Sequence, residues 1–269
     1  MADPITYLFV PGDRPERFGK AAASGADRVI LDLEDAVRPE AKPAARAAIC
    51  AAGLDLSRIV VRINDAASPF LAEDLACIAR ARPGAVMLPK AETRGAIDMV
   101  AEALPEADIL PQIETVRGLE AVPDLLAHRA VRRVVFGHLD FALDLGAAPE
   151  WEALLYARSR VVALSRLAGG APPIDSVTTD VTDPERTAED ARRARALGFG
   201  GKLLIHPAQV APAMAAFRPG QQETDWARRV LDAVAAGAGG AAQIDGKMID
   251  KPVEEAARRI LARAARADA

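Results

Sequence analysis

Aromatic side chains are scarce, at 4% of the 269 residues, so a core built from this chain must be aliphatic. Only two cysteines occur, Cys50 and Cys77, with no CxxC pair and no Cys/His ligand spacing. Such a count excludes a structural zinc site and a disulfide framework, and predicts two small helical core residues. No excess of positive charge exists: 34 Lys and Arg stand against 38 Asp and Glu, and the arginines are interleaved with acids. Clustered basic residues are what a phosphate backbone requires, so nucleic acid is excluded as a constitutive partner. No apolar run approaches the roughly 20 residues that span a bilayer, so no membrane-spanning helix is expected. The N-terminal Met-Ala-Asp-Pro lacks a basic segment followed by an apolar one, and the expected location is the cytoplasm. No GxGxxG follows the first apolar run, which removes the main support for a dinucleotide fold.

What the chain does have is an alternation. Apolar strand-like runs fall at 6–10, 28–33, 59–63, 85–88, 108–113, 134–136, 173–177 and 202–205. Amphipathic helical patterns lie between them, at 14–23, 42–52, 70–81, 94–103, 116–127, 150–168 and 184–197. Continuous apolar strands alternating with helices predict a parallel sheet covered on both faces. Eight units without a break in composition predict a closed (β/α)8 TIM barrel. The composition changes after residue 236, where Gly237-Ala238-Gly239-Gly240-Ala241 leads into a last helical run. The expected organisation is a catalytic barrel over 1–236 and a mobile C-terminal lid and helix over 237–269.

In such a barrel the working groups sit where the strands end and the βα loops begin. Those ends carry Asp13 and Arg14, Glu34 and Asp35, Arg62 and Asn64, Lys90 and Glu92, Glu114, His138 and Asp140, and His206. A ring of charges at one rim is costly to desolvate unless it meets a ligand or an ion. Glu114 and Asp140 end adjacent strands, and two carboxylates with the remaining positions left to water and substrate oxygens are the usual way to hold Mg2+. Gly137 either allows a close approach beside Asp140 or forms a turn.

The rim residues sit in stretches that resemble the citrate lyase β-subunit-like family, whose members include malyl-CoA and citramalyl-CoA lyases. Leu8-Phe9-Val10-Pro11-Gly12-Asp13-Arg14-Pro15-Glu16-Arg17 and Leu31-Asp32-Leu33-Glu34-Asp35-Ala36-Val37 carry the likeness first. It continues through Val61-Arg62-Ile63-Asn64, Met87-Leu88-Pro89-Lys90, Gln112-Ile113-Glu114-Thr115 and Gly137-His138-Leu139-Asp140-Phe141. It ends with Gly201-Lys202-Leu203-Leu204-Ile205-His206-Pro207 and Lys247-Met248-Ile249-Asp250-Lys251-Pro252, so the motifs run the length of the chain in order.

The resemblance implies that Glu114 and Asp140 bind Mg2+, with Mn2+ as a substitute, and that Arg62 binds a substrate carboxylate. It implies that Asp250 reaches the active site of a neighbouring subunit in a homotrimer or hexamer and moves a proton. Glu34 and Asp35 then order metal-bound water and Arg62, while Arg14 and Lys90 meet anionic groups of the substrate or coenzyme A. Gly137 and His138 line the substrate site, and His138 stands where several relatives have a small residue such as Ser. His206 is either a family feature or a strand-end histidine bonded to backbone. The implied activity is a Mg2+-dependent carbon–carbon lyase acting on a β-hydroxyacyl-CoA thioester such as citramalyl-, malyl- or citryl-CoA, giving a keto acid and an acetyl thioester. Two alternatives stand beside it: a class II pyruvate-type aldolase that works without coenzyme A, and a non-catalytic barrel acting as a binding scaffold.

Overall fold

The computed structural model describes residues 3–236, 243–244 and 247–267. All eight expected strands form: β1 (Thr6–Pro11), β2 (Arg28–Asp32), β3 (Ile59–Arg62), β4 (Ala85–Leu88), β5 (Asp108–Ile113), β6 (Val135–Phe136), β7 (Ile174–Asp175) and β8 (Gly201–Leu204). They close a parallel barrel in chain order, with β8 returning to β1 through Thr6↔Lys202, Tyr7↔Leu203 and Leu8↔Leu204. Helices cover its outside: α1 (Phe18–Ala22), α2 (Lys42–Cys50), α3 (Leu71–Ala81), α4 (Arg94–Ala103), α5 (Val116–Leu126), α6 (His138–Leu145), α7 (Leu155–Leu167), α8 (Pro184–Leu197) and α9 (Val210–Phe217). The architecture is the (β/α)8 barrel.

Strand periodicity explains how the lumen divides. Side chains alternate across a strand, so residues two apart face the same way. One lumen layer is apolar: Tyr7, Ile30, Val60, Met87, Leu110, Val135, Ile174 and Leu203 form a single cluster. Two residues further toward the C-terminal rim, the same series gives Phe9, Asp32, Arg62, Gln112, Gly137, Ser176 and Ile205, all of which line one cavity. The apolar layer is the floor on which this polar layer rests.

Two helices were not foreseen. α6 begins directly at His138, because β6 is only two residues long and Gly137 serves as the cap before the first turn. Gly146 ends α6 in the left-handed region at φ 72°, and the helix expected over 150–168 starts only at Leu155. α9 is the second, following β8 after a short turn at Pro207–Gln209.

The expectation of two unpaired core cysteines is corrected. Cys77 is buried in α3, but Cys50 ends α2 at an exposed position, and the two sulfurs are joined in a disulfide. One βα repeat separates them in the chain, and the barrel sets α2 beside α3, an adjacency that sequence spacing does not display. Arg46 of α2 also binds Asp74 of α3, its Nε 2.7 Å from Oδ1.

One compact unit spans Asp3–Met214 and the other begins at Ala215. In the second unit α10 (Gln221–Ala235) packs on α11 (Lys251–Ala267) through Ala227, Val230 and Ala257, so α10 belongs with the C-terminal helix. The short strands β9 (Gln243–Ile244) and β10 (Lys247–Met248) pair antiparallel ahead of α11. Asp250 is exposed and caps α11, its Oδ1 accepting the Val253 N–H at 3.1 Å. The glycine-rich stretch 237–241 lies outside the described residues. No helix among the described residues is long and apolar enough to cross a membrane.

Candidate active site

The polar layer opens on a cavity of about 310 Å3 at the C-terminal rim, bounded by Phe9, Asp32, Asp35, Arg62, Gln112, Glu114, Gly137, His138, Asp140 and Ser176. Its β2–β3 side is organised around Arg62. The register pairs Asp32 with Arg62 at the same level of the barrel. Asp32 takes one whole edge of the guanidinium, with Nε to Oδ1 at 2.7 Å and Nη2 to Oδ2 at 2.6 Å. Asp32 also accepts the backbone N–H of Glu34 at 2.9 Å and of Ala36 at 3.2 Å, which fixes the loop that follows. Arg62 stacks over the Phe9 ring at 4.8 Å, and its Nη1 lies 2.9 Å from Glu34 Oε2. That last contact is an ion pair without hydrogen-bond alignment, and Glu34 Oε2 has no hydrogen-bond partner. Asp32 leaves the edge between Nη1 and Nη2 uncovered.

Lys90 closes this side. Its Nζ donates to Glu34 Oε1 at 2.7 Å, and its backbone, held at φ 48°, donates N–H to Glu114 Oε2 at 3.0 Å. Burial raises the proton affinity of Glu34, while Arg62 and Lys90 oppose that rise. Beneath the loop, buried Lys42 donates to Leu33 O at 2.6 Å, Glu34 O at 3.0 Å and Asn64 Oδ1 at 2.7 Å. The Glu34 carboxylate is thus held from both its side chain and its backbone.

The β5–β6 side is different in kind. Glu114 is 2% exposed and Asp140 is half-buried in the first turn of α6, where the helix dipole favours an anion. Gly137 is a close-approach glycine: a Cβ there would lie 2.6 Å from both Cγ and Oε1 of Glu114. Burial, then the neighbouring Glu34 and Asp140, push the Glu114 carboxyl up to about 8. Five carboxylates, Asp32, Glu34, Asp35, Glu114 and Asp140, share the mouth with Arg62 and Lys90, and Lys42 lies beneath the loop. Oε1 of Gln112 is a further sealed acceptor without a partner. Oxygen donors, surplus negative charge and unsatisfied acceptors fit a hard divalent cation held by Glu114 and Asp140. Among the described residues no group of three His, Cys, Asp or Glu side chains converges on a metal position, so most of the coordination sphere would come from water and substrate.

His138 forms the third wall. Its backbone N–H donates to Ser176 Oγ at 3.0 Å, and its Nδ1 lies 2.6 Å from the same oxygen. Burial and the nearby Arg158 lower its pKa to about 4, so the ring is neutral. Behind it Asp175 binds Arg158 Nε and Lys202 Nζ, each at 3.1 Å, in a fully buried cluster.

The remaining candidates are placed less centrally. Asp35 is exposed at the cavity rim. Arg14 is exposed, 3.9 Å from Asp13, and does not line the cavity. His206 is the backbone-bonded strand-end histidine, its Nδ1 accepting the Ala208 N–H at 3.2 Å. Asp32, Gln112 and Ser176 escaped the sequence reading. Asp32 had a signal, being a carboxylate inside the apolar run Val29-Ile30-Leu31-Asp32-Leu33, at the lumen phase of Ile30.

Comparison with known proteins gives the family. Residues 6–207 match the family model described as HpcH/HpaI aldolase/citrate lyase. A citrate lyase subunit beta-like protein of Mycobacterium tuberculosis (strain ATCC 25618 / H37Rv) is 39% identical over 268 residues, covering 97% of this chain and 96% of its own. A (3S)-malyl-CoA thioesterase of Cereibacter sphaeroides (strain ATCC 17029 / ATH 2.4.9) is 31% identical over 267 residues, covering 96% of this chain and 94% of its own. The crystal structure of CitE from Mycobacterium tuberculosis in complex with magnesium, acetoacetate and coenzyme A superposes with a TM-score of 0.89 at 37% identity, over 98% of this chain and 99% of that one. With its barrel closed, its carboxylates gathered at the C-terminal mouth and relatives aligned end to end, the chain belongs to the HpcH/HpaI aldolase/citrate lyase family of enzymes.

Proposed function

We propose that this enzyme is a Mg2+-dependent carbon–carbon lyase that cleaves a β-hydroxyacyl-CoA thioester to a keto acid and an acetyl thioester, or forms it in reverse. The observation that carries the reading is the division of the mouth into an edge-on arginine and an uncompensated carboxylate pair. Arg62 offers the edge left free by Asp32 to the carboxylate of the keto-acid portion, in a planar geometry that lysine does not reproduce. Glu114 and Asp140 would hold the ion, which when bound would supply Lewis-acid charge to substrate oxygens. Glu34, pinned by Lys90 and Lys42, orders the groups around that ion and around Arg62. Related CitE structures carrying magnesium with acetoacetate and coenzyme A, or with pyruvate, support both the ion and the substrate class.

Cleavage requires loss of the hydroxyl proton, rupture of the carbon–carbon bond and transfer of its electron pair to the thioester carbonyl as an enolate, which then takes a proton. Asp250 from a neighbouring subunit of a trimer or hexamer is the proposed base. It is exposed in its own unit, and its capping bond uses only Oδ1. Asp250→Asn is expected to lose most turnover while keeping Mg2+ binding. Mixed oligomers with Arg62→Ala, once subunit exchange is demonstrated, are expected to recover activity; exchanged oligomers that stay inactive would contradict a lid acting in trans.

The direct test is incubation with malyl-CoA, citramalyl-CoA and citryl-CoA, with and without Mg2+, and product analysis. A keto acid plus acetyl-CoA supports the lyase. Free hydroxy acid plus coenzyme A would mean hydrolysis instead, and turnover of a hydroxy keto acid without coenzyme A would mean an aldolase.

A further inference from the structure

We propose that Gln112 determines specificity: its side-chain amide donates an N–H to an oxygen on the substituent of the substrate's carbinol carbon. The site then takes a thioester with an oxygen-bearing group at that carbon over one with a methyl. The identity of that carbon rests on the lyase reading above; the free amide rests on geometry alone.

Leu110, Gln112 and Glu114 step up one face of β5, so Gln112 sits between the apolar floor and the Glu114 carboxylate. It is 4% exposed. The polar side chains of its layer are Asp32, Arg62, Gln112 and Ser176. Asp32 and Arg62 engage each other, and Ser176 accepts the His138 N–H. The Gln112 amide bonds to nothing among the described residues. Its Oε1 is sealed, whereas its Nε2 is not, and it opens onto the cavity that Gln112 lines with Glu114 and Gly137. Gly137 locates that nitrogen: a Cβ at 137 would stand 3.0 Å from Gln112 Nε2 and 2.6 Å from Glu114 Oε1. Donor and carboxylate oxygen flank the same space, and the carboxylate favours the nitrogen end of the amide on that side.

A buried amide with neither end bonded costs stability, and an aliphatic side chain would fill the position without that cost. What uses the donor follows from the four bonds of the carbinol carbon. Its carboxylate meets the uncovered edge of Arg62, and its hydroxyl lies toward Glu114 and Asp140. Its thioester arm must leave through the mouth, because a cavity of about 310 Å3 does not contain coenzyme A. The fourth substituent then points down, where Gln112 is the polar group without a partner. An oxygen there satisfies the amide. A methyl displaces water and leaves the N–H unpaired, which is how a polar site rejects an apolar analogue.

The test compares citryl-CoA, whose fourth substituent is carboxymethyl, with citramalyl-CoA, whose substituent is methyl, on the full-length protein with Mg2+. The wild type is expected to show the higher kcat/KM with citryl-CoA. Gln112→Leu, close in volume, should lower the citryl-to-citramalyl ratio of kcat/KM about 10- to 100-fold. Gln112→Met repeats the comparison with a more adaptable side chain. Both substitutions should leave the thermal midpoint equal or higher, because they remove an unpartnered amide; a glutamine with a merely structural role would lose stability on replacement. Calorimetric affinities for the corresponding keto acids, oxaloacetate against pyruvate, should shift in the same direction as the kinetic ratio. A wild type that favours citramalyl-CoA, a ratio unchanged in both variants, or a lowered midpoint in both overturns the role of Gln112. A wild type that cleaves none of the thioesters overturns the lyase reading, while the keto-acid affinities still decide whether Gln112 reads the substituent.

Discussion

The two sides of the barrel mouth solve opposite electrostatic problems. On the β2–β3 side the buried charges are paired: Arg62 with Asp32 and Glu34, and Glu34 with Lys90, while Lys42 holds the loop from below. On the β5–β6 side Glu114 and Asp140 face each other with Glu34 near, and the Glu114 carboxyl is pushed up to about 8. One side is a finished scaffold that presents a guanidinium edge. The other is incomplete as protein alone and gains from a cation. The contrast teaches that burial by itself does not mark a functional group here; Asp32 and Glu114 are equally buried, and only one has its counter-charge built in.

The comparison breaks first at Asp32. Removing it leaves Arg62 buried with half its partners, and Asp32→Ala is expected to lower unfolding free energy by about 3 kcal/mol, at the low end for an orphaned buried pair because Glu34 remains. Denaturant melts measure this. Arg62→Lys keeps the charge but loses the planar edges; kcat/KM is expected to fall by roughly 2–5 kcal/mol equivalent of transition-state stabilisation. Near-normal kinetics in that variant would remove Arg62 from substrate binding.

The opposite side should respond with opposite sign. Glu114 has a folded pKa above its unfolded one, so between the usual carboxylate range and about 8 the folded state binds more protons than the unfolded state. Metal-free protein therefore loses stability as pH rises through that window, by at most about 1.4 kcal/mol per pH unit from this group. Glu114→Gln should flatten the slope and raise the melting temperature of the metal-free chain at pH 8, whereas saturating Mg2+ should reverse the trend in the wild type only. A slope of the other sign in EDTA would remove the frustration assigned to this side. A smaller effect is expected for Gly137→Ala. Its Cβ displaces the Glu114 side chain, and Mg2+ affinity should weaken about 10–100-fold, the range for disturbing a ligand's support, while Arg62 and Asp32 keep their pairing.

Much of this arrangement was legible in the chain. Apolar runs marked all eight strands because a parallel strand is buried on both faces, and the charged residues at strand ends marked the mouth. What escaped depends on three-dimensional neighbours. Ser176 is an unremarkable serine until β7 sets it against His138. Cys50 and Cys77 meet only because α2 and α3 are adjacent. α6 was hidden because His138 and Asp140 looked like loop residues, although Gly137 and Gly146 bound the helix at both ends. Ala227 and Val230 of α10 pack against Ala257 of α11, a contact between segments that the glycine-rich stretch separates in the chain.

The central claim is that Glu114 and Asp140 together hold one divalent ion at the unanswered side of the mouth. Calorimetric titration of Mg2+ into the wild type, Glu114→Gln and Asp140→Asn tests it most directly. One site in the wild type, lost or strongly weakened in both variants while each remains folded, is the predicted result; unchanged affinity in both variants would contradict it.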